Sequence, residues 1–350
     1  MTRVAFVYPN PREGLLERIS AGALPDTNLL GQNHLAELGI DSFVHDSVLR
    51  RHTRPGGVMH RVTWHGRELL LPWELGETDL IVTPLATLLP LASRLRRRPR
   101  VIVISYHLVS AFERASELRR RLLRASLRSA ACVVTIAEKA TEQLIELGGL
   151  DPAKVLTSPL GVDAGFWRPE PQRPDGYVLT VGRDLARDYA TFAAAVAGLP
   201  RRAIVVAKEE NLRGIELPPN VEVRLNISAE EVRELYAAAA CVVVPVVPES
   251  NPRGTENSGT IALLEAMASG RPTIVSERSY LREYLHPGAT LTVAAGDPNA
   301  LRDAIDRVLD DAPLARSMGE AGRSRVEEGH TSRRFAERLA RVIRDHSRTV

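Results

Sequence analysis

The chain is poor in several residue types, and each scarcity narrows what it can be. Lysine occurs three times in 350 residues, at Lys139, Lys154 and Lys208, so 43 of the 46 basic residues are arginine. Basic and acidic residues nearly cancel at a net charge of +3, which leaves no general surplus for coating nucleic acid. The arginine bias reads as codon composition, although a guanidinium fork also matches phosphate oxygens well. There are two cysteines, Cys132 and Cys241, each opening an apolar run within Ala-Ala-Cys-Val-Val, so both read as core thiols and not as a disulfide. The longest apolar stretch, residues 80–95, carries two prolines and is shorter than the ~20 residues of a membrane span. No Asp-x-Asp pair occurs. The residues 45–75, with His52, His60, Trp64, His65 and Trp73, show no metal-ligand spacing. The N-terminal Met1-Thr-Arg-Val-Ala-Phe-Val-Tyr8 starts a strand at once without a secretory leader, so a cytoplasmic protein is expected.

What is present is an alternation of strand-like and helix-like segments on a globular composition, 44% hydrophobic and 25% charged. Strands are expected at Val4–Tyr8, Ser42–Val44, Leu80–Thr83, Val101–Ser105 and Cys132–Ile136 in the first half. The second half offers Tyr177–Val181, Ala203–Ala207, Val221–Leu225, Cys241–Val247, Thr273–Val275 and Leu291–Val293. Near-continuous Val, Ile and Leu imply burial on both faces, as in parallel sheets covered by helices. Trp167 to Gly176 holds three prolines and no apolar period, and reads as a linker. The expected fold class is α/β: two doubly wound, Rossmann-like parallel-sheet domains facing across a cleft. Their limits are residues 1–166, a linker at 167–176, residues 177–330, and a last helix at 331–350 expected to pack back on the first domain. Ligands of such sheets bind at the carboxyl ends of the strands.

The most informative segment is Asn257-Ser-Gly-Thr-Ile-Ala-Leu-Leu-Glu-Ala-Met-Ala-Ser-Gly-Arg-Pro-Thr-Ile-Val275. Ser258 reads as a helix N-cap, and Leu264, Met267 and Ala268 as its packed face; Gly270 and Pro272 end it. A helix entering from the carboxyl edge of a sheet points free N–H groups and the positive end of its dipole at whatever binds there, which favours phosphate. Ser258, Gly259, Thr260 and Ile261 are thus candidates for nucleotide binding. Glu265, less than two turns in, can accept from a pair of ribose hydroxyls. A plain strand–helix–strand crossover with an exposed Glu265 reads equally well from these residues alone.

This segment resembles the signature of the retaining glycosyltransferases of family four, which have the GT-B fold. That family carries Glu-x7-Glu, then Ala-Met-Ala, a small residue, Gly and Pro; Glu265-Ala-Met-Ala-Ser-Gly-Arg-Pro272 is similar to the second Glu and its tail. The resemblance implies that Glu265 grips the ribose. Asn257, with Glu256 beside it, stands where the family has the Glu that contacts the donor sugar. Ser158-Pro-Leu-Gly-Val-Asp-Ala-Gly-Phe-Trp-Arg-Pro169 resembles the family's Asn-Gly-Val-Asp…Phe-x-Pro connection, and Tyr177-Val-Leu-Thr-Val-Gly-Arg183 its first C-domain strand, whose Arg contacts the diphosphate. A Lys usually follows five residues later; Arg187, four residues on, takes that role here. Val101-Ile-Val-Ile-Ser-Tyr-His107 places His107 where the family commonly has a His facing the donor sugar. Gly22, in Ser20-Ala-Gly-Ala23, is the nearest equivalent of the family's early Gly-Gly loop.

The resemblance implies transfer of a sugar from a nucleoside diphosphate, UDP being expected, to an acceptor hydroxyl with retention. His107, Arg183 and Arg187 are the implied catalytic residues. No metal or other cofactor is expected, because arginines and helix N–H groups hold the leaving diphosphate. The acceptor, a small molecule, glycan or lipid, is left to the first domain, and no nucleic acid partner is expected. The Arg-rich helix over residues 117–129 is expected to turn Leu118, Leu122 and Ala125 to the sheet and not to a membrane. Two other readings stay open: a GT-B-like sugar-nucleotide epimerase, and a catalytically silent partner subunit, suggested by Asn257.

Overall fold

The structure, a computed structural model, describes residues 2–9, 12, 14–45, 58–84, 88–171, 176–251 and 253–347, the side chains of residues 58–65 excepted. His52, His60, Trp64 and His65 therefore lie outside what is described; Trp73 is exposed. The chain forms two compact units. The first comprises Met1–Ser20, Leu29–Pro159 and Arg333–Val350; the second, Ala21–Asn28 and Leu160–Ser332.

In the first unit, β1 (Arg3–Phe6), β2 (Asp41–Val44), β3 (Leu80–Thr83), β4 (Arg100–Ser105), β5 (Cys132–Thr135) and β6 (Val155–Thr157) make one parallel sheet. The strand order is β2-β1-β3-β4-β5-β6. Helices α1 (Leu15–Ser20), α2 (Val58–Glu74), α3 (Leu89–Arg96), α4 (Leu108–Glu113), α5 (Glu117–Ser129) and α6 (Glu138–Gly148) connect the strands. Strands β3 and β5 are buried at every residue, as their unbroken apolar sequences require. Strand β6 was not among the expected strands: Val155-Leu-Thr157 is three residues long and follows a 3-10 turn at Pro152–Lys154.

The second unit repeats the plan with β7 (Tyr177–Val181), β8 (Ala203–Ala207), β9 (Val221–Leu225), β10 (Ala239–Val244), β11 (Thr273–Ser276) and β12 (Thr290–Val293), all parallel. Here the order is β12-β11-β10-β7-β8-β9. Helices α7 (Tyr189–Val196), α8 (Ala229–Ala238), α9 (Thr260–Ala268), α10 (Pro298–Asp310) and α11 (Ala312–Gly329) flank it. The order reverses between β7 and β10, so the crevice for a ligand opens at the carboxyl ends of those two strands.

The last helix, α12 (Ser332–Ser347), returns to the first unit. Phe335, Ala336, Leu339, Ala340, Val342 and Ile343 are buried in one core with Val4, Phe6, Ile102 and Val134. Gly31 permits this approach, because a Cβ there would sit 2.8 Å from the Ala336 Cβ. Conversely, residues 21–28 belong to the second unit, where the Asp26 N–H donates to Asp163 Oδ2 at 3.1 Å.

Two expectations need correction. The segment read as a linker over 167–176 lies with the second unit where it is described, and the change of unit falls at Pro159–Leu160. Trp167 is 2% exposed and edge-on to Phe166 and Tyr236, so its indole is core. On α5 the buried residues are Leu123, Ser126 and Leu127, whereas Leu118 is 80% and Leu122 40% exposed. The helix is rotated from the expected face: it packs against α3 and α6, and Leu123 and Leu127 are the leucines it buries.

Candidate functional site

Three segments meet at the carboxyl ends of β7 and β10. The first is Gly182–Asp188, which links β7 to α7. Within it Arg187 bridges Val246 beyond β10, and the Val247 N–H donates to the Ala186 carbonyl at 2.9 Å. The side chain of Arg187 is 5% exposed and lies across Gly182, where a Cβ would sit 2.7 Å from Nε. Its Nη2 donates to Thr180 Oγ1 at 3.2 Å. Nε and Nη1 are buried with no hydrogen-bond partner among the described residues. Unmet buried donors on a cation are costly, of order 1–3 kcal/mol or more each, so this guanidinium is set for an anionic acceptor.

The second segment precedes α9. Asp184 clasps it: Oδ1 accepts from the Thr255 N–H at 3.1 Å and Oδ2 from Thr255 Oγ1 at 2.9 Å. Gly254 is packed against the Asp184 carboxylate and the Ala186 backbone, with a positive φ of 72°, so no side chain fits there. The N-cap of α9 is Gly259 and not Ser258; Gly259 has φ 94° and its Cβ would sit 2.9 Å from Val244 Cγ1 and 3.7 Å from Arg187 Nη1. Only glycine satisfies both the left-handed backbone and that close approach. With no side-chain cap, the first-turn N–H groups at Ile261 and Ala262 remain for a ligand. The hydroxyls of Ser258 and Thr260 are buried without a partner among the described residues, while Ile261 is 41% exposed. Leu264, Met267 and Ala268 are fully buried.

Glu265, one and a half turns into α9, accepts from the buried Tyr236 hydroxyl at 3.3 Å. Burial pushes its carboxyl up to about 8, and the Tyr236 bond pulls the other way. The Tyr236 hydroxyl is itself raised well above its ordinary value, by burial first and the Glu265 charge second.

The third segment follows β11. Arg278 is 6% exposed, with Nε and Nη1 lacking partners among the described residues. Burial lowers its pKa, opposed by the charges of Glu249, Tyr280, Asp184 and Glu256. Glu256 and Asn257, the candidate donor-sugar residues, are buried at 4% and 8% exposure, and the Asn257 carbonyl accepts the Thr260 N–H.

Other expected residues fall elsewhere. Arg183 is exposed at the end of β7 and donates to the Ile227 carbonyl beyond β9 at 3.4 Å, on the side of the sheet away from β10 and α9. His107 lies in the first unit, exposed, two residues beyond β4 and next to the Tyr106 ring. Gly22 has a φ of 72° with nothing within reach of a Cβ, so its glycine serves the turn. Cys132 and Cys241 are buried thiols pushed up to about 12 by desolvation. Among the described residues no group of histidine, cysteine and carboxylate side chains could hold a metal, and no helix is long and apolar enough to cross a membrane. Sequence reasoning passed over Asp184, Thr180, Tyr236 and Arg278. For Asp184 the signal was an acidic residue directly after the strand-end Gly182-Arg183; for the others only the fold brings them in.

Two family models match the chain: "Glycosyl transferases group 1" over residues 179–325, and "Glycosyl transferase 4-like domain" over residues 11–161. The chain is 24% identical over 258 residues to an alpha-maltose-1-phosphate synthase of Mycolicibacterium smegmatis, across 63% of this chain and 65% of that one. It is 28% identical over 142 residues to a GDP-mannose-dependent phosphatidylinositol monomannoside mannosyltransferase of Corynebacterium glutamicum, across 40% of this chain and 37% of that one. Each match thus spans less than two thirds of the curated relative. Among solved structures, Anabaena HepE in complex with UDP-glucose superposes with a TM-score of 0.69 at 14% identity, over 99% of this chain and 100% of that one.

Proposed function

This chain belongs to the glycosyltransferases of family four, with the GT-B fold, and from that premise we propose that it moves a sugar from a nucleoside diphosphate to an acceptor hydroxyl with retained anomeric configuration. The observation that carries the reading is Arg187, buried with two unpartnered nitrogens beside Gly259 at the uncapped start of α9. That arrangement suits a diphosphate, and Glu265 further along the helix suits the ribose that follows it. UDP is the proposed nucleotide, supported by the UDP-glucose in Anabaena HepE; GDP, named for the corynebacterial relative, is the competitor.

In the proposed step, the bond from the anomeric carbon to the β-phosphate oxygen breaks. The acceptor oxygen bonds to that carbon on the same face, and its proton passes to the departing phosphate oxygen. Arg187 and the α9 N–H groups stabilise the charge that develops there, a role that needs no metal. Arg183, from its present position, requires a rotamer change to join them. Asn257 is proposed to touch the donor sugar, where an amide both donates and accepts. His107 is proposed to act at the donor sugar on the resemblance of its strand.

Thermal melts with UDP, GDP and their sugars test the binding half: a nucleotide at 100 times its Kd adds about 2.7 kcal/mol of stability. Absence of any nucleotide shift sinks the reading. With donor alone, turnover without acceptor indicates an isomerase or hydrolase instead; turnover that is lost with chelator and restored by Mg²⁺ rejects the metal-free step. An Asn257→Glu variant should reorder the preferred donor sugars while leaving UDP affinity unchanged.

A further inference from the structure

The first unit has a cavity of its own, at the opposite end of its sheet from His107. It opens at the amino-terminal starts of β4 and β5 and has a volume of about 450 Å³. Arg94, Arg97, Arg100, Arg128 and Lys154 line it, and among the described residues no acidic one does. None of these five cations forms a salt bridge among the described residues. Three are instead held by backbone carbonyls. Arg100 Nη1 donates to His346 at 2.7 Å, Arg128 Nε to Gly149 at 3.0 Å, and Lys154 Nζ to Arg128 at 3.4 Å. Carbonyls orient a cation without neutralising it, so five side chains of like charge line one small volume with no carboxylate paired to them among the described residues. Arg97 occupies the left-handed C-cap of α3 at φ 71°, a position where glycine is usual and an L side chain is strained. Ser93, 4% exposed on the same wall, keeps a hydroxyl with no partner among the described residues.

We propose that this cavity is a second anion site, separate from the nucleotide site, taking a phosphate-bearing ligand with several negative charges. Guanidinium forks pair bidentately with phosphate oxygens, and five cations match a polyphosphate or a clustered phosphomonoester better than a single carboxylate. The concave shape and, among the described residues, the lack of an aromatic lining to stack bases disfavour a nucleic acid strand. The phosphate is that of a free small molecule or of a lipid headgroup, and the two sources separate by experiment.

The full chain is titrated with inorganic tripolyphosphate by calorimetry, with UDP saturating, and again as the Arg187→Ala variant, which tests the site independently of the nucleotide reading. One equivalent should bind in both. The double substitution Arg97→Ala with Arg128→Ala, both exposed and checked by an unchanged melting temperature, should weaken binding at least about tenfold. Vesicles of phosphatidylglycerol against phosphatidylcholine form the second arm. Sedimentation with the anionic vesicles that the double variant loses, without tripolyphosphate binding, assigns the phosphate to a lipid. Binding of neither probe, or binding that the double variant retains in full, overturns the proposal.

Discussion

Glu265 gives the most demanding test, because its environment couples nucleotide binding to protons. Its carboxyl is pushed up to about 8 by burial, so at pH 7 it is mostly protonated in the free protein. Ribose hydroxyls that donate to it favour the carboxylate and lower that pKa in the complex. Binding therefore releases a proton. Affinity for UDP should rise with pH by up to about tenfold per unit, level off above about 8, and be lost as pH falls toward the complex's own lower pKa. Stability of the unliganded protein moves oppositely. A carboxyl raised from 4.5 to about 8 keeps its proton in the folded state after the unfolded chain has released it. That contribution is full at acid pH and is lost as pH climbs through the window, at a limiting slope of about 1.4 kcal/mol per unit. Glu265→Gln cannot titrate, so both slopes should flatten. Its UDP affinity above pH 8 should fall by about 1.5–3 kcal/mol, the scale of hydrogen bonds to a charged group. Calorimetric titrations at pH 6, 7, 8 and 9 on both proteins cancel the nucleotide's own ionisation. A wild-type slope identical to that of the variant refutes the ribose assignment.

Arg187→Ala should lower kcat/KM by about 10²-fold, the usual loss on removing a donor to developing charge, and Arg187→Lys should not restore it, because the Nε and Nη geometry is gone; steady-state kinetics near wild type would reject the role. His107→Ala should reduce turnover while UDP affinity stays within about twofold, and a variant that is merely unfolded, with normal specific activity in its folded fraction, returns His107 to a structural part. Leu339→Ala, 1% exposed on α12, should destabilise the protein by about 2–5 kcal/mol in chemical denaturation, and an unaltered midpoint would contradict the packing of that helix.

The strands were legible because a doubly buried parallel strand writes itself as consecutive Val and Ile, as in Cys241-Val-Val-Val244. β6 escaped because three residues are too short for any pattern. α9 was legible in type and not in its cap: the preference for Ser over Gly at an N-cap holds on average, whereas position 259 is decided by the Val244 side chain, 15 residues earlier on another element and invisible to local reading. Trp167 misled for a related reason, since prolines nearby outweighed an indole that finds its partner at Tyr236. The α5 face was misjudged because leucines recur on two sides of that helix, and only the packed partner decides which is inside. Arg187 was nominated by resemblance despite altered spacing, and its burial beside Gly259 is what the fold adds. Arg278 and Tyr236 carry no local mark, because their roles arise from burial beside Glu256 and Glu265.

The return of α12 to the first unit gives the chain an order of completion that differs from its order of synthesis. Leu160–Ser332 holds every strand and flanking helix of the second sheet, so that unit has nearly all its parts once residue 332 has been made. The first unit, translated earlier, still lacks Phe335, Ala336, Leu339 and Ile343 at that moment, so the sheet face they share with Leu30, Leu35 and Ile40 is only partly covered. The first unit is therefore completed only by a segment made after the whole second sheet, and until α12 is made Val4, Phe6 and Ile102 lack one of their apolar partners, the kind of transient exposure that favours misassembly.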